Sequence, residues 1–188
     1  MVKKDMNVLV VGRNATSGVL ELLQTVDGKL LLGASTDTIG VSPGVTISVL
    51  VEATAGIYTA GDVVGGLLTF ANATRVTGLG GMITGMTIID DAGQDSELEL
   101  WIFNAQPAAI ADNAPFAPTP ANLHRLAGII STESGAWCAA GTPSAIYIDK
   151  YVRVDPDTVN LFAYLVTRGT PTFGTVNDVS VVLHVVQD

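Results

Sequence analysis

The alternating run at residues 96–103, SELELWIF, constrains the fold of this chain more than any other stretch. Successive side chains of a β-strand point to opposite faces of the sheet, so Leu98, Leu100 and Ile102 share one face. Neighbouring carboxylates prefer water, and the leucine face is therefore predicted to lie against a core. The opposite face carries Glu97, Glu99, Trp101 and Phe103.

Further short runs of this kind follow one another through residues 45–188, with turn signals every 8–12 residues. Residues 45–52 and 179–186 alternate between apolar and polar, as strands with one buried face do. Residues 161–167 are apolar at almost every position, which predicts a central strand covered on both sides. Together these runs predict an all-β fold, a β-sandwich or jelly roll of about eight strands.

Several residues interrupt the strand pattern and predict local features. Lys150 breaks the apolar face of residues 145–154, which predicts an edge or a bulge. The pair Gly65-Gly66, before a strand, predicts a bulge or a close backbone approach. Four prolines in residues 104–120 predict a long loop, because each lacks a backbone donor. Thr119-Pro120 has the form of a helix N-terminus, and a short helix is predicted at residues 121–126, ending before Gly128.

The first part of the chain differs from the rest. A β-rich run lies at residues 7–11, and Asp27-Gly28 separates two apolar runs, which is a strong hairpin signal. The chain is therefore divided into an N-terminal hairpin arm with linker, residues 1–44, and a main domain, residues 45–188. A lone hairpin is marginally stable in water, so the arm must dock on another surface. Its candidate contact residues are Leu20, Leu22 and Leu31.

The composition indicates surfaces that are buried between molecules. Charged residues make up 14% of the chain and apolar residues 48%, yet no apolar run approaches the roughly 18 residues of a membrane span. Burial between subunits explains the apolar surplus, although long apolar loops would explain it as well. The net charge of −9, with nine scattered basic residues, argues against nucleic-acid binding. No membrane partner and no targeting segment are predicted.

Residues able to carry catalysis are few. His184 lies on the last strand opposite the inward valines, and His124 lies in the predicted helix. Cys138 is the only cysteine, so no disulfide can form within the chain, and folding in a reducing cytoplasm is expected. The sequence shows no nucleophile–base pattern, phosphate loop or dinucleotide fingerprint. We therefore predict that the protein is not an enzyme and has no cofactor.

An acidic turn and two aromatic residues each allow two interpretations. Asp90, Asp91, Asp95 and Glu97 could offer oxygens to calcium, but their spacing does not match the EF-hand pattern. Asp-rich turns more often face water or form Asx turns, so no metal site is predicted. Trp101 and Phe103 could lie under the proline-rich loop, or they could anchor a contact between subunits, where aromatic residues are enriched.

Four stretches resemble a family of small structural proteins of tailed bacteriophages. They are IYTAGDVVGG (57–66), MTIIDDAGQDSELELWIFN (86–104), DNAPFA (112–117) and LFAYLVTRGTPTFGTVNDVSVVLHVVQD (161–188). The resemblance extends over about residues 50–188 and lies in these phrases and their order. Residues 1–45 are similar to the variable attachment segments of phage proteins.

This resemblance implies a virion component without catalytic residues. Jelly-roll members of the family decorate or cement the capsid, often as trimers at its three-fold positions. The expectation is therefore a capsid decoration protein, made in the host cytoplasm and located on the capsid surface. Its partners would be two further copies of itself and the major capsid protein. The alternative is a receptor-binding or carbohydrate-binding β domain of a tail fibre or baseplate, with Trp101, Trp137 or Tyr147 exposed on one face.

Overall fold

The computed structural model describes residues 10–13, 20–26, 29–31, 44–133 and 135–188, which belong to two compact units, residues 1–41 and 42–188. In the first unit, β1 (Val10–Arg13), β2 (Leu20–Val26) and β3 (Lys29–Leu31) form an antiparallel sheet in that order. Val26 is paired with Lys29, and the predicted turn residues Asp27 and Gly28 between them lie outside the described residues. β1 adds a third strand to this predicted hairpin.

The second unit consists of antiparallel strands and one four-residue helix, so the all-β prediction is confirmed. Within the described residues, no helix is long and apolar enough to cross a membrane. The elements are β4 (Gly44–Val51), β5 (Gly56–Ile57), β6 (Val63–Phe70), β7 (Gly81–Asp90), β8 (Leu98–Phe103), α1 (Pro120–Leu123), β9 (Leu126–Ser131), β10 (Cys138–Ala139), β11 (Ser144–Val154), β12 (Leu161–Thr167), β13 (Thr172–Phe173) and β14 (Val179–Gln187).

Two main sheets build this unit. Sheet I has five strands in the order β10-β11-β7-β14-β4, and sheet II has four strands in the order β6-β12-β8-β9. Strands that follow each other in the chain mostly lie in different sheets, so the chain crosses repeatedly between the two. A small pair, β13 with β5, completes the unit.

The main core cluster contains the inward faces of both sheets. The three residues predicted to face a core, Leu98, Leu100 and Ile102, are buried there. Sheet I contributes to the same cluster the alternate residues of β14, Val179, Val181, Leu183 and Val185, which were also predicted to point inward. The period-two pattern therefore identified the buried face of both strands.

The central strand β12 is buried at all seven positions, as its continuous apolar sequence predicted. It pairs with β6 on one side and with β8 on the other. One of its faces contributes Leu161, Ala163 and Leu165 to the main core. The other face contributes to a second, smaller cluster on the outer side of sheet II.

Both predicted bulges are present. The register between β12 and β6 shifts at Gly65 and Gly66, whose φ values are +78° and +72°. Such positive values favour glycine, and a Cβ at Gly65 would overlap the side chain of Val51. The register between β11 and β7 shifts between Asp149 and Val152, where Lys150 breaks the pattern.

The helix is shorter than predicted. Thr119 is the N-cap, its Oγ1 accepts from the Asn122 amide at 3.3 Å, and Pro120 follows, as predicted. The helix ends at Leu123 because Leu126 already pairs with Phe103 as the start of β9. Gly128 consequently lies inside β9 rather than after the helix.

Candidate interaction surface

Sheet I turns one face away from the core, and this outer face is the candidate interaction surface. Register places its residues in rows that run across four strands, from β4 through β14 and β7 to β11. Three of the rows are Leu50–Ser180–Ile89–Ala145, Ser48–Val182–Thr87–Tyr147 and Thr46–His184–Gly85–Asp149; a fourth row beyond the register shift, Gly44–Val186–Met82–Arg153, ends in an arginine. The outer face is defined by the three rows from Leu50, Ser48 and Thr46; apart from Gly85, which Tyr147 covers, its residues are more exposed than the inward residues with which they alternate.

The outer face carries almost no charge. Asp149 is the only carboxylate in the three rows, and no lysine or arginine lies in them. The remaining side chains are small hydroxyls, aliphatic groups, one tyrosine and one histidine. Solvated sheet faces usually carry many charged side chains, and the core of a protein interface is depleted of them. The outer face therefore has the composition of a contact surface.

Tyr147 and His184 form an aromatic pair near the middle of the outer face. Their ring centroids are 5.7 Å apart in an edge-on arrangement, and His184 Nε2 lies 3.3 Å from Thr87 Oγ1. Tyr147 crosses over Gly85, where a Cβ would come within 2.7 Å of its hydroxyl oxygen. The hydroxyl donates to Asp149 Oδ1 at 2.8 Å, and this bond raises the pKa of Tyr147. Tyr147 remains 57% exposed.

The outer side of sheet II is covered by the chain itself. The proline-rich loop, residues 104–119, lays Phe116 between Trp101 and Tyr164, at centroid distances of 5.0 and 5.7 Å. The Tyr164 hydroxyl donates to the Ala108 carbonyl at 2.7 Å and accepts from the Ile110 amide at 3.0 Å. Burial raises the pKa of Tyr164. The loop therefore acts as a fixed cover over this face.

The two aromatic interface candidates on β8 lie beneath that cover. Phe103 is fully buried and meets Tyr164 edge-on at 6.3 Å, so its side chain leaves no surface for another subunit. Trp101 is half-buried against Phe116, and its Nε1 donates to Glu99 Oε2 at 2.9 Å. Both residues therefore pack beneath the proline-rich loop, Phe103 completely and Trp101 in part.

Glu99 and Arg168 form an ion pair at the margin of the cover, with Arg168 Nη2 2.6 Å from Glu99 Oε2. The hydrogen bond from Arg168 lowers the pKa of Glu99, against the opposing effect of burial. The carboxylate thus receives both the guanidinium and the Trp101 indole, which fixes the orientation of the indole ring. This arrangement gives Glu99 a structural role.

Asp112 anchors the proline-rich loop to the edge of sheet II. Its carboxylate accepts from the Thr54 amide and hydroxyl at 2.9 and 2.6 Å, from the Tyr58 hydroxyl at 2.8 Å and from the Gly65 amide at 2.5 Å. Burial alone would raise its pKa, but these hydrogen bonds outweigh burial and lower it. Burial also raises the pKa of Tyr58 to about 12. The role of Asp112 is not evident from the sequence, because its partners are distant in the chain.

The acidic turn after β7 is organised around one carboxylate. Asp90 is buried and accepts from the backbone amides of Ala92, Gln94 and Asp95 at 3.0, 2.8 and 3.0 Å. Burial raises its pKa, and the three amides oppose that rise. Asp95 accepts from the Ser144 hydroxyl. Among the described residues, no three His, Cys, Asp or Glu side chains are grouped as a metal site requires.

The remaining candidates lie apart from one another. Cys138 is exposed in β10, and His124 follows α1 as its C-cap. Trp137, named for the carbohydrate-binding alternative, packs against the main core. The arm candidates Leu20 and Leu22 lie in β2 opposite Arg13 and Val11, and Leu31 ends β3 opposite Gln24.

Comparison of the chain with protein-family models, with curated proteins and with solved structures found no match. The geometry of the two sheets and the resemblance of the quoted phrases are therefore the basis for a functional proposal.

Proposed function

We propose that residues 42–188 form a jelly roll. Eight strands of six or more residues make up the two main sheets, together with the two-residue β10. Counted in chain order, sheet I pairs the first, eighth, third and sixth of these eight strands, and sheet II pairs the second, seventh, fourth and fifth. A double sheet of eight antiparallel strands with crossing connections is the jelly-roll arrangement, which recurs in viral capsid and lectin domains.

We further propose that the protein is a structural component of a tailed-phage virion, a capsid decoration protein that binds the head shell as a homotrimer. The outer face of sheet I is the observation that carries this proposal, because its rows, with Asp149 as their only charged side chain, suit burial against protein. The quoted phrases that resemble phage structural proteins support it. The partners are two further copies of the chain and the major capsid protein, and the site of action is the capsid surface.

Such binding would stabilise the shell by mass action. A ligand that binds the assembled state but not the free subunits shifts the equilibrium toward assembly. Binding at 100 times the dissociation constant contributes about 2.7 kcal/mol per site. A decoration protein of this kind needs contact area and correct shape, and no reacting group.

A matched pair of substitutions tests the role of the outer face. Val182→Glu places a carboxylate in the middle row of the face, whereas Val176→Glu makes the same change at a site 58% exposed outside it. Co-sedimentation with heads assembled without this protein should drop at least tenfold for Val182→Glu and stay unchanged for Val176→Glu. Electron micrographs of particles with and without the protein should differ in surface density. Equal binding by both variants would contradict the proposal.

The N-terminal unit is proposed to attach the protein to neighbouring copies or to the shell. Deletion of residues 1–40 should leave the second unit folded, as judged by far-UV circular dichroism, while shell binding is lost. Replacing Leu20, Leu22 and Leu31 together by serine is a milder version of the same test. Normal shell binding by the truncated protein would show that attachment does not depend on this segment.

A second candidate function, receptor or carbohydrate binding on a tail fibre or baseplate, is favoured by one observation. Tyr147 and Tyr151, both on β11, are 57% and 73% exposed. Aromatic rings with a polar end are suited to ligand contacts at a wet surface. Binding on a glycan array that disappears with Tyr147→Ala plus Tyr151→Ala would support this function, and an array without signal would count against it.

A further inference from the structure

The two main sheets have four lateral edges, and β4 differs from the other three. β6 contains the Gly65-Gly66 bulge, β9 has a register shift beside Gly128, and sheet I ends beyond β11 in the two-residue β10. β11 itself is interrupted at Lys150. Bulges, charges and very short strands are the features by which proteins prevent pairing at sheet edges. Three of the four edges therefore have such protection.

β4 has none of these protective features. Its eight residues, GVTISVLV, include no charged residue and no proline, and its register with β14 is uninterrupted from Gly44 to Val51. Among the described residues, no strand pairs with its other side. An antiparallel strand turns every second pair of backbone N–H and C=O groups away from its one partner. β4 therefore presents a straight row of donors and acceptors.

The core-facing side chains of β4 are incompletely covered. Val45, Ile47 and Val49 are half-buried, whereas their direct partners on β14 are at most 1% exposed; these partners are Val185, Leu183 and Val181. Beside this edge lies an open groove of about 280 Å³ between β4 and β6, lined in part by Val49, Leu67 and Leu68. A further strand with apolar residues on the same side would complete the core here.

We propose that the free edge of β4 pairs antiparallel with the β4 edge of a second copy, so that sheet I continues across a two-fold axis. With Ser48 on the axis, Val45 lies opposite Val51 and Ile47 opposite Val49. Residues directly opposite each other share a face, so each copy places its apolar residues on the core side of the other. Glu52, the nearest charge along the strand, falls opposite Gly44 rather than another carboxylate.

The same sequence thus satisfies both sides of the contact. A two-fold contact requires a self-complementary patch, and β4 provides it through alternating side chains, neutral charge and unpaired backbone groups. This inference goes beyond the proposed shell binding and does not depend on it. A two-fold contact also closes after two copies, so it can coexist with a three-fold contact elsewhere on the chain.

Cysteine cross-linking tests this contact in the full-length chain. In a Cys138→Ser background, Ser48→Cys places a single thiol at the axis, and Tyr151→Cys places one on β11, away from β4. Opposed or diagonal side chains across an antiparallel pair lie within about 8 Å, which a short bismaleimide spans. We expect the Ser48→Cys variant to form covalent dimers at least ten times faster than the Tyr151→Cys variant. Equal rates would overturn the proposal.

A charge substitution provides the second part of the test. Thr46→Lys plus Leu50→Lys, added to the Ser48→Cys variant, places lysines opposite each other in the proposed register and should slow cross-linking at least tenfold. Thr46→Ser plus Leu50→Val is the neutral control, and it should leave the rate within about twofold. Far-UV circular dichroism confirms that each variant is folded. Cross-linking that is insensitive to the lysines would contradict pairing through β4. An unreactive Ser48→Cys variant would also contradict it, because this result would mean that another segment or partner covers the edge.

Discussion

The outer faces of the two main sheets differ in whether the chain itself covers them. Sheet II is covered by the proline-rich loop, whose Phe116 packs on Trp101 and Tyr164 and whose Asp112 is tied to the sheet edge. Among the described residues of the second unit, none forms such a cover over the outer face of sheet I, which carries hydroxyl, aliphatic and aromatic groups and little charge. One sheet thus buries its large aromatic residues within the chain, and the other leaves a surface with little charge partly exposed.

This difference gives the two faces different energetic roles. Residues under the loop contribute to the stability of the single chain, because they are removed from water when it folds. Residues on the outer face of sheet I remain half-exposed, and their burial would contribute to association instead. Substitutions on the two sides should therefore separate effects on folding from effects on assembly.

The largest expected difference in folding stability is between two tyrosine-to-alanine substitutions, one on the outer side of each sheet. Tyr164→Ala removes a fully buried ring and two hydrogen bonds to the loop, and it should lower the free energy of unfolding by about 3–5 kcal/mol. Tyr147→Ala, on the exposed side, should change it by less than about 1 kcal/mol. Urea unfolding under conditions that keep the protein monomeric measures both. Similar losses would show that the two faces do not differ in this way.

The next effect concerns the bulge that receives the loop anchor. Gly65→Ala introduces a Cβ at φ +78°, where it also overlaps Val51, and it should cost about 2–4 kcal/mol. Gly61→Ala is the control, because its φ of +99° is also unfavourable but no atom lies within 4 Å of the new Cβ. Urea unfolding should therefore rank Gly65→Ala well below Gly61→Ala in stability. The reverse order would mean that close packing at the bulge is unimportant.

A smaller, pH-dependent effect is expected at the loop anchor itself. Asp112→Asn removes the charge that accepts four donors and should reduce stability by about 1.5–3 kcal/mol at pH 7. The pKa of Asp112 is lowered in the folded protein, so its contribution is present above the unfolded pKa of about 3.9 and is lost as the pH falls through the folded value. The difference between wild type and variant should shrink below about pH 4. A constant difference from pH 7 to pH 3 would exclude this role for Asp112.

The smallest effect is expected at the margin of the cover. Arg168→Gln breaks the pair with Glu99, which is partly exposed, and should cost less than about 1 kcal/mol. Tryptophan fluorescence should shift slightly, since Trp101 donates to the same carboxylate. High salt should reduce the difference further, because it screens partly exposed charges. A loss as large as that of Tyr164→Ala would indicate that the pair, rather than the buried rings, holds the cover in place.

Features that depend on neighbours in the chain could be predicted from the sequence. β8, β12 and β14 were recognised because alternation or continuous apolarity is a local pattern that depends on which faces are buried. The bulges were recognised because Gly65-Gly66 and Lys150 violate that pattern within a single strand. The hairpin of β2 and β3 was marked by Asp27-Gly28.

Features that depend on distant partners could not be predicted in this way. The helix is shorter than predicted because Leu126 pairs with Phe103, a tertiary contact that overrides local helix signals. Asp112 escaped notice because its partners lie 47 to 58 positions away in the chain. The outer face of sheet I could not be predicted from the sequence, because its rows combine single residues from four strands whose register is known only from the structure.

The central claim is that the neutral outer face and the free edge of β4 exist to contact other molecules, beginning with copies of the same chain. Light scattering coupled to size-exclusion chromatography of the full-length protein tests it most directly. We predict a mass that is a multiple of the single-chain value of 19.4 kDa at micromolar concentration. A mass of 19.4 kDa at every accessible concentration would contradict the account.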